Sequence, residues 1–362
     1  MTRLLSRTLK LVLAVGITAS LVGCANFAYY AQAVGGQMEL LRRAQPISTI
    51  TSDPDADPNL KRALAKVVQL RAFASRELQL PENQSYTRYA DLERPYVVWN
   101  AFAAEEFAIE PKQWCFVGVG CVNYRGFFSK ADADSFAEEL RREGYDVSVG
   151  GVPAYSTLGW FNDPVLNTFI GYAETELARL IFHELAHQLV YVRDDSVFNE
   201  SFATAVEREG VRRWLARHGS TAQRAAWLAT QQRQTAFTDI VFNTRRRLQV
   251  LYASGVNDTD KRAAKARLFA ELRAELTRLQ TTQDGVSRSD RWQSLQLNNA
   301  HLASIATYTQ LLPAFQALLV QQHGDLEQFY AAVKDMSRLP KSERTATLRP
   351  LIEGPRKEAG AS

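Results

Sequence analysis

Apolar and polar positions follow two different patterns along the chain. Short stretches rich in Val, Phe and Tyr, separated by glycines, predict β-strands over 95–109, 115–128 and 146–160. From about 174 onward, apolar residues recur every three or four positions, which predicts helices over most of the remaining chain. The change of pattern predicts an α+β fold in which a small N-terminal sheet precedes a predominantly helical body.

Helix boundaries are indicated by capping residues and by the helical period. The segment 129–145 begins with Ser129, whose hydroxyl can accept a hydrogen bond from a free N–H group of the first turn. Further helices are predicted over 59–80, 174–192, 200–218, 261–280 and 291–336.

The first residues show the pattern of a segment that is removed during export. Arg3, Arg7 and Lys10 precede an apolar run of about thirteen residues, too short to span a bilayer but typical of a signal-peptide core. The run ends in Leu-Val-Gly-Cys, which resembles the lipobox of bacterial lipoproteins, where the cysteine is acylated. We therefore expect a lipoprotein signal peptide over 1–23 and lipidation at Cys24.

The residue after Cys24 is Ala25 and not Asp, which resembles the sorting pattern of outer-membrane lipoproteins. This resemblance implies an outer-membrane lipoprotein that faces the periplasm and contacts the membrane through its lipid anchor. Downstream, we predict a lipid-anchored tether and linker over 24–58, one folded domain over 59–340 and a polar tail over 341–362.

Charge and cysteine content narrow the possible partners. The chain has 43 basic and 39 acidic residues, and three of the basic ones lie within 1–23, so that 40 remain against 39. Without a basic stripe interleaved with aromatic residues, we expect no nucleic-acid partner. Apart from Cys24, the chain holds Cys115 and Cys121, which could close a small loop as a disulfide or remain as two buried thiols.

The helix predicted over 174–192 carries a His-Glu-x-x-His motif. Residues four apart lie on one face of a helix, so His183 and His187 could bind the same metal ion. Glu184 lies beside the first histidine and could act as a general base. The alternative is a core helix with two satisfied histidines, but an unexplained set of buried polar groups would carry a desolvation cost. The motif therefore predicts a catalytic zinc site.

A catalytic zinc site needs a third protein ligand. Metzincins place a third histidine six residues after the second, and here Arg193 occupies that position, which excludes this class. Two glutamates of the next predicted helix are candidates. Glu200 follows Asn199 near the start of that helix, where a short turn would bring it close to the metal, and we prefer it. Glu207, at a longer spacing, stays open as the alternative.

These motifs, together with the segments AYSTLGWFNDPVL, FNESFAT and NNAHLASIATYTQLLPAF, resemble a family of bacterial lipoproteins described as zinc aminopeptidases, with the gluzincin pattern of His-Glu-x-x-His plus Glu. The resemblance runs from the lipobox to the late helices. It implies a zincin-like metallopeptidase domain over 59–340, a Zn²⁺ cofactor, a peptide substrate and aminopeptidase activity. The chain lacks the Gly-x-Met-Glu-Asn element of several zinc aminopeptidases, so exo- and endopeptidase action both stay open.

Peptide hydrolysis also requires a donor that stabilises the oxyanion. We predict Tyr308 in this role, and Tyr155, Tyr191 and His301 are the other candidates. A rival function is a scaffold or chaperone-like envelope lipoprotein whose metal is structural or absent. The glutamate beside the first histidine argues against it, because a structural site has no use for a base.

Two further features would complete the site. The segment 150–160 could provide an edge strand next to the metal-binding helix, along which a peptide binds by strand addition, or it could be an ordinary core strand. Asp194 or Asp195 could hydrogen-bond a ligand histidine, or both could cap the turn after the helix.

Overall fold

The computed structural model describes residues 29–281 and 296–353. The predicted signal peptide, the predicted lipidation at Cys24 and the last residues of the predicted tail lie outside these ranges. Within them, small sheets occupy the N-terminal half and helices form the rest, which confirms the α+β prediction.

The described part of the chain begins with a helix. Residues 29–43 are helical (α1) and are followed by α2 (Ile47–Ser52) and α3 (Pro58–Leu78). Leu40 lies in the main core. The described part of the predicted tether over 24–58 therefore packs onto the folded domain, because its apolar side chains cover the core.

Short strands build three small sheets in the described part of the chain. The strands are β1 (Gln45–Pro46), β2 (Arg88–Ala90), β3 (Val98–Ala104), β4 (Trp114–Phe116), β5 (Gly120–Val122), β6 (Arg125–Phe127), β7 (Asp146–Val152) and β8 (Val165–Leu166). β2 pairs with β1 antiparallel and with β8 parallel, and β4 and β5 form a hairpin. β3 lies between β6 and β7 with antiparallel pairing on both sides, so that β7 is an edge strand.

The helical body follows the sheets. Its helices are α4 (Lys130–Arg142), α5 (Asn167–Ile170), α6 (Glu174–Leu189), α7 (Ser196–His218), α8 (Thr221–Ala253), α9 (Asp258–Thr281), α10 (Asn299–Thr309), α11 (Leu312–Gln321), α12 (Leu326–Ser337) and α13 (Lys341–Glu353). The main core lies between α3, α6, α7, α11 and α12, and Phe182, Phe202 and Trp214 are among its fully buried side chains.

The turn between α6 and α7 is fixed by side-chain hydrogen bonds. Asn199 Oδ1 accepts the N–H of Val192 at 2.8 Å, and Asn199 Nδ2 donates to the carbonyl of the same residue at 2.7 Å. Asp195 caps α7 by accepting the N–H of Phe198 at 3.3 Å. These bonds place the first turns of α7, including Glu200, against the C-terminal half of α6.

The C-terminal residues differ from the prediction. Residues 341–353, predicted as part of a polar tail, form α13, which packs against α11 and buries Leu348. Arg344 forms an ion pair with Asp195 at 2.8 Å, and both side chains are 6% exposed. The folded domain therefore extends past the predicted boundary at 340. The sequence pattern did not predict this helix because α13 is mostly polar, and one buried leucine and one buried ion pair hold it in place.

One stretch, Asn299–Gln321, is long and apolar enough to cross a membrane by length and composition. In the structure it consists of α10 and α11, which pack against α7 and bury Leu302 and Phe315. Its apolar character is that of core helices.

Candidate metal centre

Two helices bring three potential metal ligands together. His183 and His187 project from α6, and Glu200 projects from the second turn of α7. The two histidine Nε2 atoms lie 3.2 Å apart, and Glu200 Oε2 lies 3.2 Å from His183 Nε2 and 3.4 Å from His187 Nε2. All three side chains are buried, and this group could hold a metal ion.

The spacing of the three atoms fits the zinc ion that the family resemblance implies. Ligand atoms around a tetrahedral Zn²⁺ at 2.0–2.1 Å would lie about 3.4 Å from each other. The observed separations of 3.2, 3.2 and 3.4 Å match one face of such a tetrahedron. Imidazole nitrogen and carboxylate oxygen are also donors that zinc accepts.

The electrostatics of these groups favour a cation. Burial alone would lower the pKa of His183, but hydrogen bonds with Glu200 and Glu207 raise it to about 10. Burial alone would raise the pKa of Glu200, but the two imidazoles beside it lower it to about 2. The carboxylates thus hold positive charge at the imidazole nitrogens, where metal binding displaces protons.

Glu207, the alternative third ligand, contacts the opposite nitrogen of the first histidine. Its Oε2 lies 2.9 Å from His183 Nδ1, and Arg179 Nη1 donates to it at 3.2 Å. Burial would raise the pKa of Glu207, but Arg179 and His183 lower it. A carboxylate on Nδ1 fixes the orientation of the ring and leaves Nε2 for a metal.

Asp194 and Asp195, which the sequence offered as possible partners of a ligand histidine or as caps of the turn, have other partners than the histidines. Asp194 accepts the N–H of Cys121 at 2.6 Å, and Asp195 caps α7 and pairs with Arg344. Of the two alternatives left open, hydrogen bonding to a ligand histidine is therefore excluded for both aspartates, and capping is confirmed for Asp195. The sequence feature that indicates Glu207 as the partner is its seven-residue spacing from Glu200, which places both glutamates on one face of a helix.

Glu184 is buried next to the three donors and lines the same cleft. Burial raises its pKa, against the opposing effect of the two imidazoles. A carboxylate with a raised pKa, facing a cleft, suits the acceptance of a proton from a reactant.

The three donors open into a cleft with a volume of about 700 Å³. Tyr308 lines it, with its ring centroid 6.2 Å from that of His183. Tyr124, which sequence reasoning missed, also lines the cleft. Burial raises the pKa of both tyrosines well above the usual range, so both hydroxyls stay protonated and can donate.

The other candidates for the oxyanion donor are less suitable. Tyr155 and Tyr191 line the cleft, but the Tyr155 hydroxyl donates to Gln37 and the Tyr191 hydroxyl donates to the carbonyl of Val119 at 2.9 Å. His301 caps α10, where its Nδ1 contacts the side chain of the N-cap residue at 2.8 Å, and it does not line the cleft.

The β4–β5 hairpin forms one wall of the cleft. A disulfide between Cys115 and Cys121 joins its two strands. The hairpin rests on the segment after α6, where Asp194 binds the N–H of Cys121. Gly120 has φ of 82°, and a Cβ at this position would lie 2.5 Å from Asp194 Oδ1, so the close approach excludes a side chain.

The loop that follows β7 forms another part of the cleft wall. Asp163 holds this loop by accepting the N–H of Thr157 at 3.0 Å and its hydroxyl at 2.7 Å. Gln188 of α6 also donates to Asp163 at 3.4 Å, which links the loop to the ligand-bearing helix. Burial raises the pKa of Asp163 to about 6, against the effect of these hydrogen bonds.

The strand predicted over 150–160 ends at Val152, and the following residues form this loop. β7 is nevertheless an edge strand, and Ser148 and Gly150 line a smaller cavity of about 370 Å³. Because Tyr308 lines both the cavity and the main cleft, the two spaces adjoin each other.

One known protein family matches most of the chain. The model of the Aminopep family, described as "Putative aminopeptidase", matches residues 28–348. No curated protein and no solved structure matches the chain. The family match includes both helices of the candidate metal centre and extends into α13. The protein therefore belongs to the Aminopep family.

Proposed function

We propose that the protein is a zinc-dependent peptidase, acting as an aminopeptidase in accordance with the description of its family. One observation carries the proposal: His183, His187 and Glu200 form a triangle of buried donor atoms, 3.2–3.4 Å on a side, beside the buried carboxylate of Glu184. A site built only to hold a metal would have no use for this fourth group.

When bound by the three donors, zinc would polarise the scissile carbonyl and lower the pKa of the attacking water. The Glu184 carboxylate accepts the proton from this water and then delivers it to the nitrogen of the leaving amine. Tyr308, kept protonated by burial, donates its hydroxyl proton in a hydrogen bond to the carbonyl oxygen as negative charge develops there. Glu207 keeps the His183 ring in place through Nδ1.

We also propose that the protein is an outer-membrane lipoprotein, acylated at Cys24 and facing the periplasm, with peptides of that compartment as substrates. The Cys115–Cys121 disulfide supports an oxidising location, because disulfides persist in the periplasm and are rare in the cytosol.

Metal analysis paired with a peptide library tests the reaction. We expect the purified protein to bind one zinc ion, and Glu184→Gln to keep the metal while the hydrolysis rate falls by about 10²- to 10⁴-fold. Glu138→Gln, on the exposed surface of α4, is the matched control and should hydrolyse peptides like the wild type.

The proposal fails if the wild type binds no stoichiometric zinc, or if Glu184→Gln cleaves peptides as fast as the wild type. The library should contain each peptide with a free and with an acetylated amino end. Cleavage restricted to the free form identifies an aminopeptidase, and cleavage of both forms identifies an endopeptidase.

A further inference from the structure

An exposed apolar surface surrounds the mouth of the cleft and continues onto α1. Val117 at the tip of the β4–β5 hairpin is 89% exposed, and Trp160 and Phe161 in the loop that follows β7 are 75% and 45% exposed. We define the apolar collar as the exposed side chains of Tyr30, Val34, Met38, Val117, Trp160 and Phe161.

Contacts between the three segments make the collar one surface. The Tyr30 hydroxyl accepts the N–H of Val117 at 3.2 Å. The ring of Tyr29 stacks on Phe116 in the same hairpin, with ring centroids 5.0 Å apart. A Cβ at Gly118, in the same hairpin, would lie 3.8 Å from the Trp160 ring. The hairpin thus contacts α1 and lies beside the loop that carries Trp160.

The outward face of α1 has an unusual composition. Its exposed positions between 30 and 38 are Tyr30, Ala31, Val34, Gly35 and Met38, and none of them is charged. A helix that faces water normally carries charged or polar residues on its outer side. Apolar residues four positions apart on an outer face are instead typical of a helix that contacts a membrane or a partner.

We propose that the apolar collar docks on the surface of a lipid bilayer. The chain itself indicates this occupant. Tyr29, the first described residue of α1, lies five positions after Cys24, the predicted site of lipidation. Five extended residues reach at most about 18 Å. A membrane that holds the proposed lipid on Cys24 therefore lies within reach of the collar.

The side chains of the collar suit the boundary between lipid and water. Trp and Tyr are enriched at this boundary because each combines an apolar ring with a polar group. Trp160 and Tyr30 would occupy that level, while Val34, Met38 and Val117 would enter the apolar layer.

Docking of the collar would turn the mouth of the cleft towards the membrane. Val117, Trp160 and Phe161 line the cleft and belong to the collar. The favoured substrates would then be peptide segments held at the bilayer surface, and freely diffusing peptides would be poorer substrates. This consequence rests on the proposed peptidase function, whereas membrane docking rests on the proposed lipid anchor at Cys24.

Quenching of tryptophan fluorescence by brominated lipid tests the docking. The full-length protein is reconstituted into phosphatidylcholine vesicles whose acyl chains carry bromine close to the headgroup, and Trp160→Phe identifies the contribution of Trp160. We expect the Trp160 component to be quenched in these vesicles and to be quenched less when the bromine lies at the bilayer centre.

Two double variants test whether the quenching depends on the collar or on exposed apolar residues anywhere on the surface. Val34→Glu with Met38→Glu changes α1 without touching the cleft, and it should lower the Trp160 quenching several-fold. Val68→Glu with Val320→Glu, at exposed apolar positions on α3 and α11, is the matched control and should leave the quenching unchanged.

The proposal is overturned if Trp160 of the anchored wild type is not quenched, or if both double variants reduce quenching equally. Burial of Trp160 in a dimer would assign the collar to a second copy, and quenching that requires added peptide would assign it to substrate. Both results would also overturn the proposal. Because the readout is fluorescence, failure of the peptidase reaction leaves the test of docking unaffected.

Discussion

The floor and the rim of the cleft are built in opposite ways. On the floor, α6 and α7 bury every group of the candidate metal centre, and both nitrogens of His183 face carboxylates. The rim consists of the β4–β5 hairpin and the loop that carries Trp160, where apolar side chains are exposed. A disulfide and a few hydrogen bonds, such as that between Tyr191 and Val119, hold the rim in place.

Under the proposed function, the two parts of the cleft would serve different tasks. Hydrolysis requires groups whose positions and charges are set before the substrate arrives, and burial with mutual hydrogen bonds achieves this. Recognition requires a surface that a partner can reach, which exposed loops on a rigid base provide. We therefore expect changes to the floor to affect metal binding and changes to the rim to affect recognition.

The largest effect should come from the two glutamates on the floor. Glu200→Gln removes a charged ligand and should weaken zinc binding far more than Glu207→Gln, for which a loss of about 10- to 100-fold is expected. Both substitutions keep the volume of the side chain, so packing is the same in the two variants. Competition with a chromophoric chelator measures the affinities. The reverse order would make Glu207 the ligand.

The link between floor and rim should respond to pH through Asp163. Its pKa of about 6 lies above the ordinary value of 3.8, because burial disfavours the charged form. The native state therefore binds this proton more tightly than the unfolded state. The resulting stability is complete below about pH 4 and is lost as the pH rises through about 6, by roughly 3 kcal/mol.

Asp163→Asn removes this titration. The free energy of unfolding of the wild type, relative to that of the variant, should fall between pH 4 and pH 7 when both are measured by urea unfolding. Asp134→Asn, at an exposed position of α4, serves as the control. Equal pH dependence of the wild type and Asp163→Asn would contradict the prediction.

The smallest effect should come from the rim disulfide. Cys115 and Cys121 are six positions apart, and closure of so short a loop is worth about 2 kcal/mol. Replacing both by Ser should lower the free energy of unfolding by this amount. It should raise KM for peptides with little change in kcat, because the hairpin forms a wall of the cleft and holds no catalytic group. A loss of bound zinc in this variant would show that the rim also supports the floor.

Some of this organisation was predictable from the sequence because it depends on local geometry. Positions four apart face the same side of any helix, so the pairing of His183 with His187, and the place of Glu184 beside them, required only the helical period. The order of strands and helices followed from the same periodicities. The prediction located α6 well but began the next helix at 200, whereas α7 begins at Ser196.

Other features required the tertiary structure because they join residues that are distant in the chain. Both Glu200 and Glu207 fit the pattern of a third ligand, and only the packing of α7 against α6 placed them on opposite nitrogens of His183. The sequence pattern places Arg344 in a polar tail, whereas in the structure Arg344 forms a buried ion pair with Asp195.

The sequence by itself determined the two histidines and the neighbouring glutamate, because a helix sets the relative directions of residues one turn apart. Only the tertiary structure decided which glutamate completes the triangle and which segments surround it. Those contacts span 17 to 24 positions between α6 and α7 and 87 positions between α1 and the hairpin. At such separations, packing of the whole chain sets the geometry, and no local period of the sequence encodes it.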